Sequence, residues 1–484
     1  KFYAIQLLEH KQRGQYKLVC KWGRVGAKAQ KSEQVFDAQS TAVAAFKKKF
    51  RDKTKNEWGT PRFQAVKGKY IPIGLQTNEE SPDVDIDIDD NPDDDDDDDE
   101  KEEPVDDGEQ DGNGMEQDDE EMADNQEIPD SQLEAALIRI LKLIFSKQLQ
   151  CDTAKEFDFD LHRMPLGQLS TSQINKGYNV LCKLNDVLVD QSQRNNMNKV
   201  SQLTSKYYTI IPHNFGHALP PIINTLKRLH REIELIETLK QMIFTNKILK
   251  KRNRKKNPID VHYQALRCDI TPLPRFSTEY EMIAKSIKQT HASTHNEYEL
   301  EIMDIFEMNR VNSKIRHMPF ERQLANKKLL WHGSRLSNFV GILSQGLRIA
   351  PPEAPTTGYM FGKGVYFADS ASKSANYIHA TEQHPFGLLI LCEVALGNEY
   401  PLVKAKYLDR APNGYHSTKG VGKTIPDEAN KHDIDGYELY LGPLTENQDV
   451  NVQQNGNLLY NEYVVYDIGQ VRMKYLVLTR FDFT

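Results

Sequence analysis

The chain has 484 residues and a mass of 55.6 kDa, which is enough for two to four domains of ordinary size. With 38% hydrophobic and 27% charged residues, it contains no apolar run near the ~18 to 20 residues that a membrane span needs, which excludes a transmembrane protein. The net charge of -8 averages two opposite populations, because residues 79–130 hold 29 Asp or Glu and one basic residue, Lys101.

The first 78 residues form a basic module, with 17 Lys or Arg against 5 acidic residues. Such a module favours a polyanion such as nucleic acid, since phosphate neutralisation releases counterions. A Lys-rich solvated surface explains the same counts equally well. The chain starts at Lys1 rather than Met, which predicts a fragment or a processed form.

Local patterns predict the structure of this module. Residues 2–8, 16–22 and 31–36 are short, partly β-branched and aromatic, and separated by glycines, which predicts a small antiparallel sheet. Ser40 is then the expected N-cap of an amphipathic helix that ends near Arg51. Residues 78–128 have few aromatic side chains and a very high charge, and therefore predict a disordered acidic linker.

Helical periodicity dominates residues 129–250. A helix start at residues 129–131 precedes apolar residues at helical spacing, and similar patterns recur at 172–189, 220–232 and 233–249. These patterns predict an all-α domain. It ends in the basic run of residues 250–256, which is either a nuclear-import signal or a solvated connection.

Residues 257–484 have a different sequence pattern, in which short β-rich runs are separated by Gly, Pro and Asn. The clearest runs are residues 388–394, 463–467 and 475–481. No alternating βαβ rhythm is present, so we expect a mixed domain with a largely antiparallel sheet. The five cysteines are odd in number and far apart, without zinc-site spacing, which predicts a reducing compartment and no metal.

One block of sequence is informative about chemistry. It contains Trp331-His332-Gly333-Ser334-Arg335, then Gly358-Tyr359-Met360-Phe361-Gly362, then Val365-Tyr366-Phe367-Ala368-Asp369, and finally Tyr460-Asn461-Glu462-Tyr463. These runs closely resemble the catalytic domain of the DNA-dependent poly(ADP-ribose) polymerases, with His332, Tyr366 and Glu462 in the family's His-Tyr-Glu arrangement. The resemblance covers nearly the whole catalytic region.

Two further motifs extend the resemblance. The run from Tyr208 to Gly216 looks like a signature of the family's helical regulatory domain, and Trp22-Gly23-Arg24 is the defining tripeptide of the WGR domain. The order best matches the short members that lack zinc fingers. The implied architecture is multidomain α+β: a β-rich WGR domain at 1–77, N-terminally incomplete; the linker at 78–128; an all-α regulatory domain at 129–250; and a mixed α/β ADP-ribosyltransferase domain at 257–484.

The implied reaction explains the acidic residue. Breaking the bond between nicotinamide and ribose in NAD passes through an oxocarbenium-like centre, which a nearby anion stabilises. By resemblance, the Glu462 carboxylate binds the nicotinamide ribose 2'-hydroxyl and orients the acceptor hydroxyl. Lys373 is expected to assist acceptor activation. A glutamate at a strand end and a lysine at a helix start are otherwise most often merely solvated.

The resemblance also implies a binding site for NAD, which serves as substrate. His332 and Ser334 hold the adenosine side with Arg348 nearby, while Gly333 and Ser374 read the nicotinamide carboxamide. Tyr366 and Tyr377 enclose the nicotinamide ring, although either tyrosine alone is more often core packing. The full set of implied NAD contacts comprises His332, Gly333, Ser334, Gly341, Arg348, Tyr359, Tyr366, Ser374 and Tyr377.

Other residues receive roles by resemblance alone. Met360 and Tyr460 match positions that hold the acceptor end of a growing chain, which favours elongation over single transfer. Trp22 and Arg24 match residues that contact broken DNA ends through backbone and phosphate. Glu237 matches an acid on a regulatory helix that faces the adenosine site, although a solvated helix carboxylate is the plainer interpretation.

The sequence therefore predicts a nuclear enzyme of DNA damage repair that is activated by DNA breaks and uses NAD. Its expected protein acceptors are chromatin proteins and the enzyme itself. A mono-ADP-ribosyltransferase remains an alternative, as does a catalytically silent scaffold that binds DNA ends. No membrane association is expected. The family's accessory factor for serine modification is a possible partner, but the chain ends at Phe483-Thr484 without the hydrophobic tail that this factor grips.

Overall fold

The computed structural model describes residues 2–10, 14–23, 30–59, 66, 69–70, 129–161, 163–166, 169–190, 196–216, 218–251, 253, 256–350 and 359–484. The chain divides into two compact units, Lys1–Glu127 and Ile128–Thr484. The predicted acidic linker at 78–128 and Arg24 lie outside the described residues.

The first unit contains a three-stranded antiparallel sheet and a helix. The strands β1 (Phe2–His10), β2 (Gln15–Gly23) and β3 (Gln30–Phe36) pair in chain order, and α1 (Gln39–Thr54) packs against them. The predicted sheet is therefore confirmed. The predicted cap at Ser40 is wrong, because α1 begins at Gln39 and the N-cap position is Ala38, which makes no side-chain cap.

The helices in the first half of the second unit are α2 (Ala135–Ile144), α3 (Lys147–Glu156), α4 (Thr171–Val189), α5 (Met197–Ile210), α6 (Leu226–Leu249) and α7 (Pro258–Ala265). Side-chain oxygens of Ser146, Ser170 and Thr225 accept backbone N–H bonds at the starts of α3, α4 and α6. Such caps satisfy donors that have no partner within the helix.

Three details of the helical prediction need correction. The start predicted at 129–131 is too early, because α2 begins at Ala135 and the Ser131 hydroxyl instead bonds Asp260. The segments 220–232 and 233–249 form one helix, α6, which starts only after the Thr225 cap. The helices α3 and α5 were not predicted; both are rich in polar residues, and tertiary packing decides their formation.

The remaining elements build three sheets. The strands are β4 (Cys268–Pro272), β5 (Tyr298–Arg310), β6 (Lys327–Gly333), β7 (Val365–Phe367), β8 (Phe386–Ala395), β9 (Glu399–Leu402), β10 (Ser417–Gly420), β11 (Gly422–Pro426), β12 (Lys431–Ile434), β13 (Tyr437–Tyr440), β14 (Leu444–Glu446), β15 (Leu458–Tyr460), β16 (Glu462–Val465) and β17 (Val471–Phe483). The helices are α8 (Thr278–Gln289), α9 (Ser313–Gln323), α10 (Phe339–Gln345), α11 (Ala371–Ala375) and α12 (Val450–Asn455).

The sheet orders are β12-β13-β6-β8-β17-β5-β4, β7-β16-β10-β9 and β14-β11-β15. Pairings are antiparallel except for β13 with β6, β9 with β10, and β11 with β15. The expected largely antiparallel character is confirmed. Among the described residues, no helix is both long and apolar enough to cross a bilayer.

The helices and the large sheet share one hydrophobic core. Ile140 and Leu141 of α2 are fully buried in the same cluster as Phe306 of β5 and Leu330 of β6. The second unit is therefore stabilised as one body, and its helices cannot be removed without exposing apolar surface of the sheet.

We expect Ile140→Ala to lower the free energy of unfolding by about 2–5 kcal/mol, since it leaves a cavity in this shared core. Chemical denaturation followed by both circular dichroism and tryptophan fluorescence measures the change. Lys142→Ala, on the exposed side of the same helix, is the matched control and should change stability by less than about 0.5 kcal/mol. Equal stabilities of the two variants would contradict the shared core.

Candidate active site

The end of β6 and the short strand β7 bring two of the predicted residues together. His332 Nδ1 lies 2.9 Å from the Tyr366 carbonyl oxygen, which can only accept, so this nitrogen carries the proton. Beside this contact, Trp331 and Ala368 form two reciprocal backbone hydrogen bonds, with N···O distances of 2.8 and 2.9 Å. Burial lowers the pKa of His332, which keeps the imidazole neutral and leaves Nε2 as an acceptor.

Gly333 lies against the helix α11. A Cβ built on Gly333 would lie 1.9 Å from the Ser374 carbonyl oxygen, so only glycine permits this approach of β6 to α11. The Ser374 hydroxyl donates to the Trp331 carbonyl at 2.9 Å. The glycine is thus required by packing within the protein, in addition to any contact with a ligand, and the Ser374 hydroxyl already has a partner for its proton.

Two tyrosines lie on the next wall of the site. The Tyr366 hydroxyl donates to the Gly362 carbonyl at 2.6 Å and accepts from the Phe361 N–H at 3.1 Å, which fixes its ring. The Tyr359 ring lies 6.4 Å from it, centroid to centroid. The Tyr359 hydroxyl donates to Glu237 on α6 at 3.4 Å. Burial raises the pKa of the Glu237 carboxyl, so α6 places a partly buried acid against this wall.

Glu462 is the first residue of β16 and is buried. Its Oε1 lies 3.7 Å from Lys373 Nζ, which also donates to the carbonyls of Tyr460 and Asn461 at 3.1 and 3.0 Å. Burial lowers the pKa of Lys373, although the Glu462 charge opposes this effect. Partial burial, followed by the Glu462 charge, raises the pKa of the half-exposed Tyr377 to about 12. The negative charge of Glu462 therefore acts on the Tyr377 hydroxyl.

Strand pairing connects the part of the site that contains His332 and Tyr366 with the part that contains Glu462. Val464 of β16 is registered with Tyr366 of β7, so Glu462 stands two residues from the partner of Tyr366. The same sheet pairs Glu462 with Gly420 of β10. The fold thus assembles His332, Tyr366 and Glu462 from positions up to 130 residues apart in the chain.

Several other residues that were predicted to bind substrate have different contacts from the residues described above. The Ser334 hydroxyl accepts from Asn338 Nδ2 at 3.0 Å, and Arg348 is exposed. Met360 is half-buried, and its carbonyl accepts from Lys406 N at 3.1 Å. Tyr460 is buried, with its hydroxyl 2.6 Å from the Thr294 hydroxyl, so its side chain points away from open space.

Of the predicted DNA contacts, the structure describes Trp22, near the end of β2. Its ring stacks on Tyr3 at 5.6 Å between centroids, and the two residues are cross-strand partners. Trp22 therefore has a structural role in the small sheet, as tryptophans in small sheets commonly do.

Comparison with known proteins decides the family. The chain is 38% identical to poly [ADP-ribose] polymerase 2 of Homo sapiens over 488 residues, which cover all of this chain and 77% of that protein. The chain belongs to the poly(ADP-ribose) polymerase family.

Family models match all three parts of the chain. The poly(ADP-ribose) polymerase catalytic domain matches residues 277–481, the poly(ADP-ribose) polymerase regulatory domain matches 131–263, and the WGR domain matches 1–64. The regulatory match extends past residue 250, the predicted limit, and ends within α7. His332, Tyr366 and Glu462 all fall within the catalytic match.

Other relatives cover the whole chain. Poly [ADP-ribose] polymerase 2 of Arabidopsis thaliana is 37% identical over 490 residues, 71% of that protein, and poly [ADP-ribose] polymerase 1 of Xenopus laevis is 37% identical over 485 residues. The chain spans 44% of the length of the Xenopus protein.

Arg335, directly after the His-Gly-Ser run, received no role from the sequence. It is buried, and it donates to Glu234 of α6 at 2.9 Å and to Glu156 of α3 at 2.8 Å. Its guanidinium also lies 4.9 Å from the centre of the Phe157 ring. Arg335 therefore joins helices α3 and α6 of the regulatory domain to the strand end that carries His332. The only sequence signal for this role was the presence of a charged residue directly after the His-Gly-Ser run.

Gly341 lies at the same boundary. A Cβ on this residue of α10 would lie 1.7 Å from Oε1 of Gln241, which belongs to α6. The structure thus places Gly341 against the regulatory helix.

The two glycines give a direct test of site packing. Gly333→Ala would push a Cβ against the backbone of α11, which cannot move without disturbing Lys373 and Ser374. We expect a loss of about 1–3 kcal/mol in the free energy of unfolding. Gly341→Ala meets only the flexible end of Gln241 and should cost clearly less. Thermal unfolding of both variants measures the difference, and a smaller loss for Gly333→Ala would refute the packing role.

Proposed function

We propose that this chain is an NAD-consuming ADP-ribosyltransferase that modifies protein side chains, extends the product into polymer, and is activated by DNA breaks. The assembly of His332, Tyr366 and Glu462 around β7, inside the matched catalytic domain, is the observation that supports it most. A scaffold that only binds DNA ends has no need of a buried carboxylate placed beside a lysine at this junction.

The neutral His332 suits one end of NAD. Its Nε2 accepts a hydrogen bond, while Nδ1 is held by Tyr366, so the ring orientation and tautomer are set before the ligand arrives. A ribose hydroxyl of the adenosine side is the proposed donor. Gly333 offers main-chain N–H and C=O groups to the nicotinamide carboxamide, and Ser374, whose proton is held by Trp331, offers an oxygen lone pair to the amide N–H.

Glu462 suits the reacting end. As the bond from ribose C1' to the nicotinamide nitrogen breaks, its electron pair leaves with nicotinamide and positive charge develops on the ribose. The Glu462 carboxylate stabilises that charge and orients the acceptor hydroxyl, whose oxygen forms the new bond to C1' while its proton is lost to a base. Lys373 holds Glu462 in place from two main-chain anchors.

Incubation with labelled NAD, with and without nicked DNA, tests the proposal on a denaturing gel. A ladder that grows when DNA is present is the expected result. A single sharp band would favour the mono-transferase, and absence of label transfer would favour the scaffold.

Glu462→Gln should reduce kcat for polymer formation by at least about 100-fold, because the amide cannot stabilise the developing charge. Folding should be retained, since Lys373 keeps its bonds to the Tyr460 and Asn461 carbonyls. Steady-state kinetics and calorimetry with a non-hydrolysable NAD analogue measure both effects. Glu446→Gln, at an exposed position on β14, is the control. Polymer of normal length from Glu462→Gln would exclude the role.

The basic module of the first 78 residues is proposed to bind the broken DNA, which implies a nuclear location and chromatin proteins as acceptors. Arg24→Ala should weaken DNA binding and reduce the slope of log affinity against log salt by about 1, as expected for one lost phosphate contact. Arg24→Lys, which keeps the charge, should keep the slope. Fluorescence anisotropy with nicked DNA at several salt concentrations measures it. A slope unchanged in Arg24→Ala would argue against this contact.

The regulatory helices are proposed to restrict access to the NAD site until DNA binds. Glu237 touches Tyr359, and Glu234 and Glu156 hold Arg335, so α3 and α6 bind the rim of the site directly. Deleting the helices would expose the shared core, so point variants are the cleaner test.

Combining Glu156→Gln with Glu234→Gln removes both charged partners of Arg335 and should raise activity in the absence of DNA by about tenfold or more, a shift of about 1.4 kcal/mol. Asp158→Asn, which removes an ion pair to Arg231 within the helical part alone, is the matched control and should not do so. DNA-free activity of the folded double variant at the wild-type level would refute the proposed restriction.

A further inference from the structure

Asp369 is a buried carboxylate that follows β7 and has no role in the mechanism above. It is 2% exposed, and its Oδ2 accepts from Asn461 Nδ2 at 2.7 Å and from the Tyr463 hydroxyl at 3.0 Å. Charge-assisted bonds of this kind are stronger than neutral ones. One carboxylate oxygen therefore holds two side chains.

Those two side chains flank Glu462 directly. Tyr463 follows Glu462 on β16, so its side chain points to the opposite face of the strand. Asn461, directly before the strand, contacts the same Asp369 oxygen as Tyr463. Asn461 is held on its other side as well, because its Oδ1 accepts from the Gly422 N–H at 2.9 Å. The direction of Glu462 is thus set by neighbours that share a single anchor.

Asp369 also belongs to the segment that holds His332. Tyr366, three residues earlier, accepts the His332 bond, and Ala368 bridges Trp331. Lys373, four residues later, donates to the Asn461 carbonyl. A short segment therefore touches both halves of the site, with Asp369 making its side-chain link to β16.

We propose that Asp369 is a positioning residue, which fixes the orientation of Glu462 through its bonds to Asn461 and Tyr463. The inference rests on the proposed function, because it needs Glu462 to act on substrate. Burial raises the pKa of Asp369, while the bonds from Asn461 and Tyr463 and the charges of Lys419 and Lys373 oppose this effect. The ionised form accepts both bonds more strongly than a neutral carboxyl does.

Graded substitutions test the proposal in the full chain. Asp369→Ala removes the acceptor of both bonds. Asp369→Asn keeps one carbonyl oxygen, which can accept from both Asn461 and Tyr463, and loses only the charge that strengthens these bonds. Tyr463→Phe removes only one of the two original bonds.

The readouts are kcat, the KM for NAD, and the affinity for benzamide, a probe of the nicotinamide subsite, all with nicked DNA. We expect Asp369→Ala to lower kcat at least tenfold with benzamide affinity within twofold of the wild type, and Asp369→Asn, which keeps an acceptor for both donors, to keep kcat within threefold of the wild type. Tyr463→Phe should lower kcat less, by about threefold.

Three results would overturn the inference: wild-type kcat in Asp369→Ala, benzamide affinity that falls in parallel with kcat, or a kcat in Asp369→Asn as low as that of Asp369→Ala. Absence of polymer from the wild-type chain itself would instead refute the proposed function, so the two failures are distinguishable.

Discussion

The candidate site depends on β7, a strand of three residues. Its Tyr366 carbonyl accepts from His332 on one side, while its backbone pairs with β16 on the other. The strand therefore connects the end of β6 with the start of β16, which belong to different sheets. The position of Gly333 against α11 and the anchoring of Asn461 by Asp369 both follow from the same segment, residues 365–375.

The regulatory helices are held against the catalytic part of the chain by ion pairs as well as by apolar packing. Arg335 is buried between Glu156 and Glu234, and removing either acid would leave a charge that is poorly compensated. The apolar stripe of α2 completes the core beneath the large sheet. The helices are therefore part of the stable fold, and the proposed opening of the site would break the ion pairs of Arg335.

Periodicity predicted the small sheet, the helical segment and the largely antiparallel character of the last segment, because strong apolar patterns reflect burial directly. It failed at Ser40 and at the division within α6, where hydrogen bonding and tertiary packing decide the boundaries. Motifs indicated His332, Tyr366 and Glu462. They gave no role to Arg335, Asp369 or Gln241, since a residue that supports another through contacts distant in sequence leaves no local pattern.

We propose that the regulatory helices cover a preformed NAD site until DNA binds. Calorimetry of a non-hydrolysable NAD analogue with the full chain, before and after addition of nicked DNA, measures this effect. The affinity should be at least about tenfold higher with DNA, because DNA and the analogue favour the same open state. Equal affinities in the two conditions would show that the helices do not restrict the site.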